Sequence, residues 1–107
     1  MTKTYVLVYL RVSQDNRDAV VHAYQQTSWV NSAIDGLLRT ELLVDNDDSN
    51  RWVLFSEWAS LAAYRAWRRG PDHEDGAKVS PLRPYQDRSR EPHYVIYQPE
   101  AGAAASY

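Results

Sequence analysis

LLRTELLV at residues 37–44, DNDDSN at 45–50 and RWVLFSEW at 51–58 form the stretch that decides the fold. The first and third segments are rich in leucyl, β-branched and aromatic side chains and read as strands. The six residues between them are all turn formers, so the two strands are predicted to form a hairpin. Upstream, Asp35-Gly36 marks the end of a helix, since glycine tolerates the left-handed conformation common just past a helix terminus. That helix is predicted to start at an Asp15 cap, with Asp18 in its first turn. Ala19, Val20, Ala23, Tyr24 and Thr27 then recur at helical spacing, and the helix reaches Trp29 or Ala33. Before it, Thr4 to Val12 alternates, with Val6, Val8, Leu10 and Val12 on one face and Tyr5, Leu7, Tyr9 and Arg11 on the other, as in a strand. Downstream, Ser60 is placed to cap a second helix whose apolar stripe is Leu61, Ala63, Tyr64 and Trp67, closed by Gly70-Pro71. Arg65, Arg68 and Arg69 fall mostly off that stripe and read as a solvated face.

Residues 72–91 are charged and interrupted by Pro81 and Pro84, which predicts a long connection with at most a short helix around Glu74 to Val79. Connections of this length often wall a pocket. His93 to Tyr97 reads as a last strand. One domain over residues 1–98 and a disordered tail over 99–107 account for the chain. The order βαββαβ, with right-handed crossovers, predicts an α+β ferredoxin-like fold: an antiparallel sheet with both helices on one face. The other face, carrying Tyr5, Leu7 and Tyr9, is too apolar for water. Pairing with a second copy through the sheet, as a homodimer, is the economical answer.

Composition narrows the function. A net charge of −2 over 107 residues supplies no positive field for phosphate backbones, so nucleic acid is not an expected partner. No apolar run is long enough to cross a bilayer, and no leader pattern opens the chain, which points to a cytoplasmic protein without a membrane partner. The absence of cysteine removes thiolate nucleophiles, thiolate metal sites and disulfides. Eight Tyr and four Trp accompany a single Phe. Aromatic residues with a polar handle suit half-polar cavities and interfaces. Glycine is too sparse for a phosphate-cradling loop.

The run from Asp35 to Leu43, the strand Arg51 to Trp58, and Ala62-Ala63-Tyr64-Arg65-Ala66-Trp67 resemble the antibiotic biosynthesis monooxygenase family over roughly residues 4–97. The sharpest features are Glu57-Trp58 ending a strand and Tyr64 six residues further on. The resemblance implies ferredoxin-like subunits paired through their sheets into a dimeric αβ-barrel, each with a cleft between sheet and helices. It also implies oxidation of a polycyclic phenolic, anthrone-like aromatic polyketide intermediate to a quinone by O2, without metal, flavin or other cofactor. Trp58 and Tyr64 match cleft-lining positions. Leu54 and Lys78 stand where quinone-forming members carry Asn and Arg. Haem-cleaving relatives pair a first-strand Asn with a Trp and a His on the second helix. Here the first strand lacks Asn, and His73 falls beyond Gly70-Pro71.

The candidate catalytic residues are therefore Trp58, whose indole N–H would donate to a substrate oxygen, Tyr64, which would hold a hydroxyl or relay a proton, and His73. Leu54, Trp67, Tyr9 and Tyr85 are expected to contact the substrate. Trp58 and Tyr64 read equally well as a helix–sheet core pair, and Trp67 as core. His73 sits among Asp72, Glu74 and Asp75, which would raise its pKa and would also suit a charged surface residue. Four adjacent loop residues cannot all face one ion, so no metal site is assigned. Two further enzymatic readings are a ring-cleaving oxygenase that uses externally reduced flavin and a polyketide cyclase. A non-catalytic, aromatic-ligand-binding dimer is the remaining alternative. An RNA-recognition domain shares the element order but not the expected glycines or charge.

Overall fold

The structure, a computed structural model, describes residues 2–70 and 81–103. Strands β1 (Thr4–Arg11), β2 (Leu37–Val44), β3 (Arg51–Trp58) and β4 (Tyr94–Tyr97) form one antiparallel sheet in the order β2-β3-β1-β4. Helices α1 (Arg17–Gln25) and α2 (Ser28–Asn31) connect β1 to β2, and α3 (Leu61–Arg69) follows β3. This is the ferredoxin-like arrangement that the element order predicts. The hairpin strands have the expected bounds. β4 begins one residue later than the sequence suggests and β1 ends one earlier.

The alternation of the central strands divides the sheet into two chemically distinct faces. Val6, Leu10, Trp52, Leu54 and Trp58 are all buried at 3% exposure or less and point toward the helices. Leu10, Trp52 and Leu54 join Val20 and Leu82 in one core cluster, against which Ala23, Tyr24, Trp29 and Tyr85 pack. Val6 and Trp58 join Tyr64 of α3 in a second cluster, with Leu61, Ala63 and Trp67 around them. Val8 touches both clusters. Because inward residues of the same strands meet α1 and α3, the two helices cover one face.

The first helical segment departs from the sequence reading at both ends. Asp15 does not cap it: residues 14–16 form a single 3₁₀ turn, and Asn16 occupies the cap position. The expected continuous helix to Trp29 or Ala33 is broken at Thr27, whose backbone is extended (φ −72°, ψ 155°). The Thr27 hydroxyl donates to the Tyr24 carbonyl at 2.7 Å, and Asn31 Nδ2 donates to the Gln25 and Thr27 carbonyls at 2.7 and 2.8 Å. Short polar side chains that bond nearby backbone groups compete with continuous helix. The second helix is as expected, with the Ser60 hydroxyl accepting from the Ala63 N–H at 3.1 Å and Gly70 closing it. The short helix expected near Glu74 to Val79 lies outside the described residues, as do the last four residues of the predicted tail. Residues 98–103 carry no helix or strand.

Gly36 has a different role from the helix stop that the sequence suggests. It sits in a turn in which the Leu37 N–H donates to the Ile34 carbonyl, with φ +81° at the third position, as a type II turn requires. A Cβ there would lie 2.4 Å from Ala63 Cβ, so the turn is pressed against the start of α3. Gly36→Ala is expected to destabilise the fold by about 2 kcal/mol or more through strain and overpacking together. Gly102→Ala, with open space around it, should leave the urea midpoint unchanged.

Candidate functional site

The inward face of β3 carries Trp58 at its end, and α3 brings Tyr64 and Trp67 against it. Ser56 and Trp58 alternate onto the same side of the strand, so the Trp58 indole reaches back along its own strand. Its N–H donates to Ser56 Oγ at 2.9 Å. The Trp58 and Tyr64 rings meet edge to face with centroids 5.4 Å apart. Trp67 lies 5.4 Å from Trp58 and 6.3 Å from Tyr64, and Trp29 of α2 lies 5.4 Å from Trp67. Each such pair contributes roughly 0.5–1.5 kcal/mol beyond its area burial. Trp58 is entirely shielded from water, whereas Trp29 and Trp67 are only half-buried. Trp29 and Trp67 thus form the part of the cluster that water reaches.

Tyr64 carries the titratable hydroxyl of this cluster. Its hydroxyl oxygen accepts from Arg68 Nη1 at 3.0 Å, one helical turn on, and the Arg68 guanidinium lies 4.7 Å from the centre of the Tyr94 ring. Burial pushes the Tyr64 pKa above its ordinary value, while the Arg68 charge and hydrogen bond pull the other way. The net result is a neutral phenol at physiological pH. Its oxygen is engaged by a cation, which leaves its proton as the group it can offer. Arg68 is thus no part of a solvated face, contrary to the sequence reading. The signal that would have found it is its i,i+4 spacing from Tyr64. Ser56 and Trp29 were missed as well; a lone serine at an inward strand position was the available sign of the first.

The other predicted residues are dispersed. Leu54, at 3% exposure, belongs to the first core cluster, and Tyr85 packs against that same cluster from a 3₁₀ turn at 83–85. His73 and Lys78 lie outside the described residues. Tyr9 projects from the opposite face of the sheet, so the sheet separates it from Trp58, Tyr64 and Trp67. There Tyr9, Leu43, Arg51 and Val53 border a cavity of about 190 Å³ that Asp87 and Arg90 help to close, with the Arg90 guanidinium 3.5 Å from the Tyr9 ring centre. Among the described residues, no group of three or more His, Asp or Glu side chains is placed to hold a metal ion. No described helix is long and apolar enough to cross a membrane.

The outward face is less bare than the sequence suggests. Tyr5 stacks on Phe55 at 5.9 Å, and the Arg39 guanidinium covers Phe55 at 4.8 Å. Arg39 Nε also donates to Glu57 Oε1 at 3.0 Å, with Lys3 3.3 Å from the other carboxylate oxygen. The Arg39 hydrogen bond, then the Lys3 contact, hold the Glu57 pKa below the usual value of 4.5, against the opposing effect of burial.

Two titrations follow from these environments. A phenol whose folded pKa is raised favours the folded state below its unfolded pKa, and that contribution is lost as pH rises through the folded value. Alkaline titration of tyrosinate absorbance should therefore lose a late component in Tyr64→Phe, and that component should move later still in Arg68→Met. Glu57 acts in the opposite direction: its contribution is present above pH 4.5 and is lost as pH falls through its depressed folded value. The fall in urea midpoint on acidification should be shallower in Glu57→Gln.

Known proteins share this architecture. The fold superposes on solved structures that carry the name of an antibiotic biosynthesis monooxygenase. One, from Bacillus cereus, has a TM-score of 0.69 and 15% identity, covering 98% of this chain and 100% of the other. Another, from Nitrosomonas europaea, has a TM-score of 0.66 and 18% identity, covering 95% and 94%. At those identities the likeness establishes the fold. Protein SchA of Streptomyces halstedii is 25% identical over 109 residues, covering 98% of this chain. The chain spans only 28% of the length of SchA. The model of the antibiotic biosynthesis monooxygenase family matches residues 4–79, which include β1, the hairpin with Trp58 at its end, and α3 with Tyr64 and Trp67, and the chain belongs to that family.

Proposed function

We propose that this protein is a cofactor-independent monooxygenase that oxidises a polycyclic phenolic, anthrone-like intermediate of aromatic polyketide synthesis to a quinone with O2. The observation that carries the reading is the Tyr64–Arg68 pair at the edge of an indole-walled cluster: a neutral, cation-anchored phenol beside flat apolar rings that suit a polycyclic substrate.

The chemistry takes its electrons from the substrate. Loss of a proton from the anthrone gives an anion rich enough to pass one electron to O2. The resulting radical and superoxide combine, with a proton, to a hydroperoxide at the former methylene carbon. Loss of the remaining proton on that carbon and departure of hydroxide, protonated to water, leave the carbonyl. One substrate and one O2 thus become one quinone and one water. In this reading His73, three residues past Gly70 in the sequence, is the base, and Tyr64 gives its proton to the departing oxygen. Arg68 favours that step, since its charge stabilises the phenolate left behind. Trp58 and Trp67 form apolar walls that exclude water. Leu54 and Tyr85 shape the helix side, and Tyr9 belongs to the opposite face, where a second subunit would cover the sheet as a homodimer. A cytoplasmic location fits this reading.

Aerobic incubation with 1,8-dihydroxyanthrone should give the corresponding anthraquinone, with one O2 consumed per product and a rate unchanged by added reduced flavin. Tyr64→Phe should lower kcat by about 10²-fold with little change in KM. Turnover only with reduced flavin would favour the ring-cleaving alternative, and ligand binding without turnover in either condition would favour a carrier.

A further inference from the structure

Two indole N–H groups of the aromatic cluster are in opposite states. That of Trp58 is fully engaged by Ser56 Oγ at 2.9 Å, inside a residue with no exposed surface. That of Trp29 is shielded from water and has no hydrogen-bond partner among the described residues. A buried donor left unpaired is costly, and native structures rarely keep one without a use. Thr4 Oγ1 is in the same state, but Thr4 is wholly buried within β1 and offers no approach.

The position of Trp29 is fixed rather than incidental. It stands in the one-turn helix α2, which Asn31 ties to the Gln25 and Thr27 carbonyls, and its ring packs on Trp67 at 5.4 Å. Together Trp29 and Trp67 are the half-exposed rim of the cluster, the part that a planar ligand reaches first. Using Trp58 as donor would require breaking its bond to Ser56. Using Trp29 breaks no hydrogen bond and satisfies an orphaned donor, at the cost of turning its half-exposed ring enough to present the shielded N–H.

We propose that the indole N–H of Trp29, rather than that of Trp58, donates the hydrogen bond that holds a phenolate oxygen of the aromatic substrate at this rim, with Trp67 supplying the stacking face. The identity of the ligand rests on the oxidation reading above; the choice of donor rests on the hydrogen-bond inventory alone.

The test is an anaerobic titration of the full chain, labelled with ¹⁵N at the tryptophan indoles, with 1,8-dihydroxyanthrone. The Trp29 indole proton should shift downfield on binding while that of Trp58 stays in place. Trp29→Phe, which keeps an aromatic ring against Trp67, should weaken binding about tenfold. The wild-type resonances give the answer even if that variant folds poorly. Movement of the Trp58 signal with a static Trp29 signal, or wild-type affinity in a folded Trp29→Phe, would overturn the donor assignment and leave the oxidation reading intact. Binding with the Trp29 shift but no quinone on admitting O2 would support the donor and overturn the oxidation. Failure of the wild type to bind the anthrone at all would overturn both.

Discussion

The wholly buried indole of Trp58 is the contact on which the arrangement turns. It closes the inward row of β3, donates its hydrogen bond to Ser56 of its own strand, and gives α3 a ring surface on which Tyr64 and Trp67 pack. The angle of α3 is set at both ends of this contact. Gly36 lets the preceding turn press to within a Cβ of Ala63, and the Ser60 cap fixes where the helix starts. With α3 placed, Arg68 falls one turn beyond Tyr64 and meets both its hydroxyl and the Tyr94 ring. The geometry of the candidate site is thus a by-product of core packing, which is why one tryptophan can be read as structure and as site without contradiction.

The sheet makes the two sides of the domain chemically different. On the helix side, polar groups are few and mostly answered: Tyr24 OH with Thr40 Oγ1, Trp52 Nε1 with the Ser49 carbonyl, Trp58 Nε1 with Ser56. In such surroundings a phenol stays neutral and a hydrogen bond to a guanidinium is strong, because little water competes. On the outward side, the Arg39 and Arg90 guanidinium groups lie over aromatic rings, and Glu57 is held between two cations. A guanidinium held over a ring lets an aromatic face tolerate water.

The family explains the scaffold and leaves the particulars to this chain's own side chains. Leu54 is buried in the first core cluster on the helix side, so the polar groups of the candidate site are those of Tyr64, Arg68 and Trp29. The short α2 matters in this respect. Had α1 run unbroken as its apolar spacing suggests, Trp29 would sit on a different helical face; the Thr27 and Asn31 side chains, by bonding backbone carbonyls, turn it toward Trp67.

Period-two alternation in β1 and β3, the turn-forming run at 45–50 and the Ser60 cap were sufficient to specify the hairpin, the helix order and the ferredoxin-like topology. Each of these is a local or nearest-neighbour property of the chain, set by backbone sterics and side-chain periodicity. Tertiary packing alone decided that Trp29 meets Trp67, that α3 carries Arg68 against the Tyr94 ring, and that the Gly36 turn presses against Ala63. Those outcomes depend on distances between residues far apart in the sequence. A hydrogen bond formed or left open over 3 Å is fixed by how whole elements pack, to which periodicity is blind.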